Sequence, residues 1–384
     1  MPSIIYRLFA VSICTHMTGA IGSEYVLAKV AHRWNLAWLG HSSWALSAAF
    51  WALSLAAFPV IGGGVVLDAP RSWVRAQLID RVYLAHWSAT FLALFALVPA
   101  ALVAVMLAAV ASPHARLFAP FAAWVHGVLL AAGLLGTALA RRFRVEQSTL
   151  EHACIPHAFD GYRVAHLSDL HVGTWTTGLA DGWIRETNAL DADLVVVTGD
   201  LVTSGDRWLE RIAEIIGAFH ARDGVMVCFG NHDWFADGER LTDLLRARGV
   251  LVLRNTSVVI ERRGQTLVVG GVDDTWTGRA NLDDLVANAA RMPDILLAHD
   301  PDLFRAAAER GIPIMLSGHT HGGQVGLPFV PRLLNMAMLA HDYHLGLYKR
   351  GASLLYVSPG LGTSGPPLRL GVPAAIVVHQ LRGA

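Results

Sequence analysis

The chain has 384 residues, of which 54% are hydrophobic and only 16% charged, whereas soluble domains average about 25% charged residues, so part of the chain is predicted to lie in a membrane. The formal net charge is zero, but residues 1–144 carry +7 (ten Lys/Arg and three Asp/Glu) and the remainder carries −7. The acidic C-terminal part lacks the basic face of a nucleic-acid-binding protein, so no nucleic-acid partner is expected.

Three long stretches of the N-terminal part contain no charged residue, namely 35–67, 82–115 and 117–140. Each exceeds the about 20 apolar residues that cross a bilayer as a helix. Residues 8–23 form a shorter apolar stretch, which is either a first transmembrane helix or a secretory signal. We favour the helix because further spans follow it. The sequence thus predicts an all-α membrane region of about four transmembrane helices at residues 1–144.

The distribution of arginine predicts the orientation of these spans. Three arginines lie at 71–81 and three more at 141–144. With four spans, both groups fall on the side of the N-terminus, and loops rich in Lys and Arg stay in the cytoplasm. We therefore expect an integral membrane protein whose C-terminal part, residues 145–384, is cytoplasmic.

After residue 144, short apolar runs alternate with amphipathic ones, which is typical of a layered α/β domain. Buried strands are predicted at 162–167, 194–198, 225–229, 266–270, 295–298 and 312–316. Helices are predicted between them, near 178–190, 207–221, 237–248, 281–290 and 301–309. Two further short strands near 353–357 and 374–379 indicate a mixed sheet.

Five of these strands are followed by residues that can bind metal. These are Asp169 with His171, Asp200, Asn231–Asp233, His299, and His319 with His321. Ligands of open α/β sheets bind at the carboxyl ends of strands, so the five groups are expected to converge on one site. Carboxylate, amide and imidazole donors without a thiolate favour Mn, Fe, Zn or Co over calcium.

Two carboxylates, one amide oxygen and four imidazoles from this set already make seven donors. Seven donors exceed the about four to six ligands of a single metal and suit two divalent metal ions about 3.5–4 Å apart. One carboxylate must then bridge the metals, and Asp200 is the candidate because it stands alone at its strand end. A hydroxide between two cations is nucleophilic at neutral pH, and the same cations neutralise phosphoryl oxygens. The pattern therefore predicts hydrolysis of a phosphoester.

The motifs after these strands resemble those of the calcineurin-like metallophosphoesterases over about residues 160–382. They are Asp169-Leu170-His171, Gly199-Asp200, Gly230-Asn231-His232-Asp233, Ala298-His299 and Gly318-His319-Thr320-His321. The continuation Gly322-Gly323-Gln324 and the run 358–364 are similar to the bacterial YkuE-type branch. The resemblance implies a four-layer α/β/β/α sandwich with a two-metal centre, and it implies the bacterial inner membrane as the location.

The resemblance also implies a role for each site residue. One metal would be held by Asp169, His171 and His321, the other by Asn231, His299 and His319, with Asp200 bridging them. His232 would face the phosphate as general acid or transition-state donor, and Asp233 would orient the His232 ring. Considered without the resemblance, His232 is alternatively a further metal ligand.

Residues 327–347 are unusually apolar for a loop. They are either a lid packed in the core or an amphipathic flap that lies on the membrane or grips an acyl chain. The second reading is motivated by the expected membrane anchor, because tethering raises the local concentration of a lipid-borne substrate. Membrane lipids are therefore expected partners.

Together these features predict a membrane-anchored dimetal phosphohydrolase that cleaves a phosphoester or pyrophosphate bond with a metal-bound hydroxide. The expected substrate is a phosphorylated small molecule or a lipid-linked compound such as UDP-2,3-diacylglucosamine of lipid A synthesis, because the related bacterial group includes enzymes resembling its hydrolases. One alternative is a membrane sensor or scaffold that binds metal or ligand without turnover, although no expected catalytic position is lost. Another is a transporter, although the predicted spans contain almost no charge.

Overall fold

The computed structural model describes residues 24–29, 45, 47–49, 51–54, 56–57, 75–110, 112, 114 and 117–383. The chain divides into two compact units, residues 1–138 with 365–368 and residues 139–364 with 369–384. The finer assignment, a membrane region at 1–144 and a catalytic domain at 145–384, stays a prediction.

Two helices make up most of the described part of the first unit. Helix α1 spans Arg81–Ala109, after a π-helical turn at Ala76–Asp80, and α2 spans Phe118–Leu139. The two helices pack through small and branched side chains, with Ala93 and Leu97 of α1 in one apolar cluster with Ala122 and Val125 of α2. This cluster is the described core of the unit.

One described helix, α2, is long and apolar enough to cross a membrane by length and composition. It corresponds to the span predicted at 117–140. The span predicted at 82–115 corresponds to α1, whose apolar segment Pro99–Ala109 is shorter than a span. The span predicted at 8–23 and most of that at 35–67 lie outside the described residues. Of the four predicted spans, one is therefore matched by a candidate membrane helix.

Two six-stranded sheets form the frame of the second unit. The strands are β1 (Phe143–Glu151), β2 (Arg163–Leu167), β3 (Leu194–Thr198), β4 (Val225–Cys228), β5 (Leu251–Val252), β6 (Thr256–Arg262), β7 (Gln265–Gly271), β8 (Ile295–Leu297), β9 (Ile314–Ser317), β10 (Gly346–Arg350), β11 (Ser353–Val357) and β12 (Ala374–Arg382). The first sheet has the order β1-β12-β2-β3-β4-β5, and the second has the order β10-β11-β9-β8-β7-β6. Both are mixed, as predicted: β2 to β5 are parallel, whereas β12 is antiparallel to β2.

Helices cover the outer faces of the two sheets. They are α3 (Ala180–Ala189), α4 (Leu209–Gly217), α5 (Gly238–Arg246), α6 (Leu282–Asn288) and α7 (Phe304–Glu309). Trp183 of α3, Ile212 of α4 and Leu241 of α5 pack in one apolar cluster with the first sheet. Leu285 of α6 and Phe304 of α7 pack with the second sheet. A third apolar cluster lies between the sheets, so the layers have the α/β/β/α order that the family resemblance implies.

The central strands are apolar because both of their faces are covered. All five residues of β3, Leu-Val-Val-Val-Thr, are buried, as expected for a parallel strand between a helical layer and a second sheet. The strands that the sequence analysis did not predict are β1, β5, β6 and β10, which are the four edges of the two sheets. Of the nine residues of β1, Leu150 alone is buried, so β1 lacks the apolar run that marks a central strand.

Candidate metal centre

The five predicted residue groups follow β2, β3, β4, β8 and β9 directly. In the first sheet β2, β3 and β4 are neighbours and parallel, and in the second sheet β8 and β9 are neighbours and parallel. Their carboxyl ends therefore lie together at one edge of each sheet. The topology explains how residues far apart in sequence, such as His171 and His321 at a separation of 150 positions, come into contact.

The nitrogen and oxygen atoms of these residues point at one another. His171 Nε2 lies 3.0 Å from His321 Nε2, and His321 Nε2 lies 3.5 Å from Asp169 Oδ1. On the other side, His299 Nε2 lies 3.1 Å from His319 Nδ1. Two groups that share no residue, Asp169-His171-His321 and Asp200-His299-His319, each hold their ligand atoms within 4.8 Å of one another, and a third group joins His171 and Asp200 with His232 in the same way.

Asp200 stands between the two groups. Its Oδ2 atom is 3.1 Å from His299 Nε2 and 3.5 Å from His171 Nε2. The other oxygen, Oδ1, accepts a hydrogen bond from the backbone N–H of His232 at 2.9 Å. One carboxylate thus faces donors of both groups, which is the arrangement required of a bridging ligand.

The backbone at the site is held in an unusual conformation. Five of the seven predicted metal ligands have a left-handed φ, between +43° and +72°: Asp169, His171, Asp200, His319 and His321. Non-glycine residues rarely adopt this conformation, and it costs about 1–3 kcal/mol per residue. Such strain persists where the surrounding structure holds it in place, and it concentrates at functional sites.

Glycine is required where the strand ends approach the ligands. A Cβ atom on Gly230 would lie 2.4 Å from Asp200 Oδ1 and 2.7 Å from His299 Nε2. A Cβ atom on Gly318 would lie 1.8 Å from Ser168 Oγ and 2.4 Å from Asp169 Oδ2. All four distances are shorter than an ordinary contact, so the two glycines let the backbone pass close to the ligand carboxylates.

Asn231 is the seventh predicted ligand, and its amide oxygen is available. The side chain is buried, and Oδ1 has no hydrogen-bond partner among the described residues. A buried polar atom without a partner costs about 1–3 kcal/mol. The nitrogen and oxygen donors that converge here, with Asn231 Oδ1 still unsatisfied, fit a divalent cation of the Mn, Fe, Zn or Co type.

His232 lies beside the cluster, in T-shaped contact with His171 at a ring-centroid distance of 4.7 Å. Its Nδ1 atom contacts the carbonyl oxygen of Thr203. Because a carbonyl only accepts, Nδ1 carries the proton and the Nε2 atom is the one left for the site. Thr203 is thus an orienting residue that the sequence analysis missed, since a backbone carbonyl leaves no residue-type signal.

The expectation that Asp233 orients the ring of His232 is corrected by these contacts. The carboxylate of Asp233 accepts hydrogen bonds from the backbone N–H groups of Asp200 (3.0 Å), Leu201 (2.8 Å) and Gly230 (2.9 Å). Asp233 follows β4, yet it binds the turn after β3. Its role is therefore to fix the Asp200 turn against the Gly230 turn, and Thr203 takes the place expected of it at His232.

Burial and mutual charge control ionisation at the site. Burial raises the pKa of Asp169 to about 6 and lowers the pKa of His171 to about 3. Burial alone would also raise the pKa of Asp200, but the neighbouring His299 and His232 hold it well below its usual value. Burial by itself would lower the pKa of His299, but the negative charge of Asp200 has the larger effect and raises this pKa to about 10. Asp200 and His299 thus favour each other's charged forms, and a metal that binds His299 must displace its proton.

Arg369 lies beside the site and is buried, with 1% of its surface exposed. Its Nη2 atom donates to the carbonyl oxygens of Pro359 at 2.8 Å and Gly362 at 2.7 Å. The Gly362 N–H in turn donates to the Asp169 carbonyl at 2.7 Å. Arg369 therefore clamps the loop that supports Asp169.

A two-sheet α/β/β/α sandwich with carboxylate, amide and imidazole donors at its strand ends defines a metal-dependent phosphoesterase. Known proteins bear this out. Residues 162–323 match the family described as calcineurin-like phosphoesterase. The metallophosphoesterase YkuE of Bacillus subtilis (strain 168) is 30% identical over 272 residues, which cover 68% of this chain and 94% of YkuE. The chain belongs to the calcineurin-like metallophosphoesterase family.

Two further comparisons extend the set of similar proteins. A transmembrane protein with metallophosphoesterase domain from Danio rerio is 32% identical over 254 residues, covering 60% of this chain and 55% of its own length. The structure of an archaeal phosphodiesterase covers 52% of this chain and 84% of its own, with 12% identity and a TM-score of 0.30. The match thus covers about half of the length of the Danio rerio protein.

Proposed function

We propose that the chain hydrolyses a phosphoester with two divalent metal ions. Asp169, His171 and His321 would hold one ion, Asn231, His299 and His319 the other, and Asp200 would bridge them. The observation that carries the proposal is the position of Asp200 Oδ2, 3.1 Å from His299 Nε2 and 3.5 Å from His171 Nε2. A carboxylate between two imidazole groups supports two cation positions that share one ligand.

The bound cations would supply Lewis acidity toward the phosphoryl oxygens and activate water at neutral pH. The chain itself contributes the proton donor. His232 is held at Nδ1 by Thr203, so its Nε2 atom is directed to the substrate side, where the imidazolium form donates a proton to the leaving oxygen. Asp233 keeps the Asp200 turn in register with the turn that carries His232. The metal identity is proposed to be Mn, Fe, Zn or Co, on the donor set.

A direct test of the His232 role is the His232→Ala variant of the purified full-length chain. Turnover is measured with added Mn²⁺ on bis-p-nitrophenyl phosphate, p-nitrophenyl phosphate and UDP-2,3-diacylglucosamine. We expect a loss of about 10²–10⁴-fold in turnover with metal content unchanged. Loss of bound metal would make His232 a ligand instead. Unchanged turnover would contradict its catalytic role, and absence of turnover in the unmutated chain would favour a sensor or scaffold.

The membrane setting and the substrate belong to the same proposal. A membrane-anchored enzyme with about four spans is supported by the apolar helix α2 and by the Danio rerio relative, whose name describes a transmembrane protein. The Arg-rich segments at 71–81 and 141–144 favour the inner membrane with a cytoplasmic catalytic domain. A lipid-linked phosphoester follows from that setting. Reporter fusions at Arg144 and at the C-terminus test the topology, and export of the C-terminal part would contradict it.

A further inference from the structure

Residues 327–340, here called the apolar flap, expose a row of large apolar side chains. Phe329 is 101% and Leu333 74% exposed, and the remaining five are Leu327, Val330, Leu334, Met338 and Leu339. A lid packed in the core, one reading of this segment from sequence, would have buried them. A contiguous exposed apolar surface of this kind marks an interaction site.

The flap is an ordered structure and not a loose loop. Asn335 is buried at its base, where Oδ1 accepts from the backbone N–H of Ala337 at 2.9 Å and Nδ2 donates to the Pro331 carbonyl at 2.7 Å. The Leu327 N–H donates to the Leu334 carbonyl at 2.8 Å. Phe329 itself has a left-handed φ of +71°, which is a true outlier for a bulky residue. The structure therefore holds this aromatic ring outward at a cost in backbone strain.

The segment that follows the flap reaches the metal centre. Thr320, between the two predicted ligands of its loop, donates its hydroxyl to the His344 carbonyl at 2.8 Å. The ring of His341 lies 5.3 Å from the ring of His319, and the half-exposed Trp276 lies 4.9 Å from the same ring. Whatever binds the flap is thus adjacent to the entrance of the site.

The flap itself carries a single positive charge. There is no Asp or Glu between Glu309 and Asp342 in the sequence, and Arg332 is the one charged residue within the flap. Arg332 stacks on Tyr348 at 5.0 Å and donates to the Leu347 carbonyl, next to the exposed Lys349. In the described part of the chain, neither Arg332 nor Lys349 has a carboxylate partner. Apolar side chains beside unpaired cations are typical of a surface that lies in an anionic membrane interface.

We propose that the apolar flap docks on an anionic phospholipid bilayer, with Phe329 and Leu333 in the acyl boundary and Arg332 and Lys349 at the headgroups. The bilayer is favoured as the occupant because the same chain carries the apolar helix α2 and the flap carries no acidic residue. The docked flap presents a lipid-borne phosphoester to the metal centre. The substrate part of this inference rests on the proposed function, whereas the docking does not.

Docking is tested on the full chain in nanodiscs of phosphatidylcholine and phosphatidylglycerol that contain doxyl-labelled acyl chains. Phe329→Cys is labelled with the fluorophore NBD, and Val259→Cys, on the edge strand β6 and 40% exposed, is the matched control. The label on the native cysteines is subtracted with the unmutated chain. We expect the label at position 329 to lose about half of its fluorescence or more, relative to position 259, because it enters the acyl boundary. Equal fluorescence at the two positions would overturn docking on the bilayer. The flap would then be left for another protein or a second copy of the chain to cover.

The substrate part is tested with Leu333→Asp. We expect turnover of a p-nitrophenyl phosphodiester of dioleoylglycerol in the nanodisc to fall about tenfold, while soluble bis-p-nitrophenyl phosphate is cleaved within about twofold of the unmutated rate. Equal loss on both substrates, or no cleavage of the lipid probe by the unmutated chain, would overturn the lipid-borne substrate. No cleavage of the soluble compound would instead contradict the proposed function.

Discussion

Gly230→Ala should damage the metal centre while leaving the fold intact. The added Cβ atom would lie 2.4 Å from Asp200 Oδ1 and 2.7 Å from two ring atoms of His299. Gly230 does not have a left-handed φ, so alanine fits the backbone itself. The substitution therefore acts through this clash alone, on the proposed bridging carboxylate and on one imidazole ligand.

The size of the effect follows from the overlap. An ordinary contact distance is 3.4 Å. To remove the clash, Asp200 Oδ1 and the Gly230 backbone must therefore move apart by about 1 Å. A misplacement of about 1 Å at a reacting centre costs about 10²-fold in rate, which corresponds to about 2.7 kcal/mol in the activation barrier. We also expect weaker metal binding, because Asp200 is shared by both proposed metal positions.

The assay compares turnover of bis-p-nitrophenyl phosphate and metal content per chain for the unmutated chain, Gly230→Ala and Gly178→Ala. Gly178 is the matched control, since a Cβ atom there would meet nothing within 4 Å. Circular dichroism verifies that both variants are folded. A Gly230→Ala protein with the turnover and metal content of the unmutated chain would refute the reasoning.

Three further outcomes follow from the structure. Asn231→Ala should lower metal content by about one ion per chain, because it removes the one donor whose buried oxygen has no protein partner; full metal content by elemental analysis would count against its ligand role. Arg254→Ala should lower the free energy of unfolding by about 2 kcal/mol. The Nε atom of Arg254 lies 2.8 Å from the buried Asp273, which the substitution leaves without a cation. Arg240→Ala is the control: it removes the exposed ion pair with Glu210 and should lower the free energy of unfolding by about 0.5 kcal/mol or less. Equal shifts of the thermal midpoint for Arg254→Ala and Arg240→Ala would show that burial of Asp273 does not matter. Removal of metal with EDTA should lower the thermal midpoint of the unmutated chain, because bound metal stabilises the folded state; an unchanged midpoint would mean that no metal was held.

The sequence predicted the central part of the fold because central strands leave a strong signal. β3 is buried along its whole length, so its run of Leu and Val is continuous. The edge strands β1, β5, β6 and β10 face solvent on one side and pair on one side only, and their mixed composition does not differ from that of a loop. The short strand β5, Leu251–Val252, is below the length that a periodic pattern can mark.

At the site, the residue types were predictable and the contacts were not. Asp169 and His321 could be predicted as metal ligands because of their side-chain type and their position after predicted strands. The orientation of His232 by Thr203 and the clamp of Arg369 on Pro359 depend on backbone carbonyls, which any residue supplies. The same reason explains the correction at Asp233, whose partners are backbone N–H groups of neighbouring turns.

We propose that two metal ions sharing Asp200 hydrolyse a phosphoester. The most direct test measures turnover of bis-p-nitrophenyl phosphate and metal content on the same Mn²⁺-loaded samples of the unmutated chain and Asp200→Asn. We expect about two ions per unmutated chain and measurable turnover, with turnover abolished and metal content reduced in Asp200→Asn. An Asp200→Asn protein that keeps both ions and the unmutated rate would contradict it.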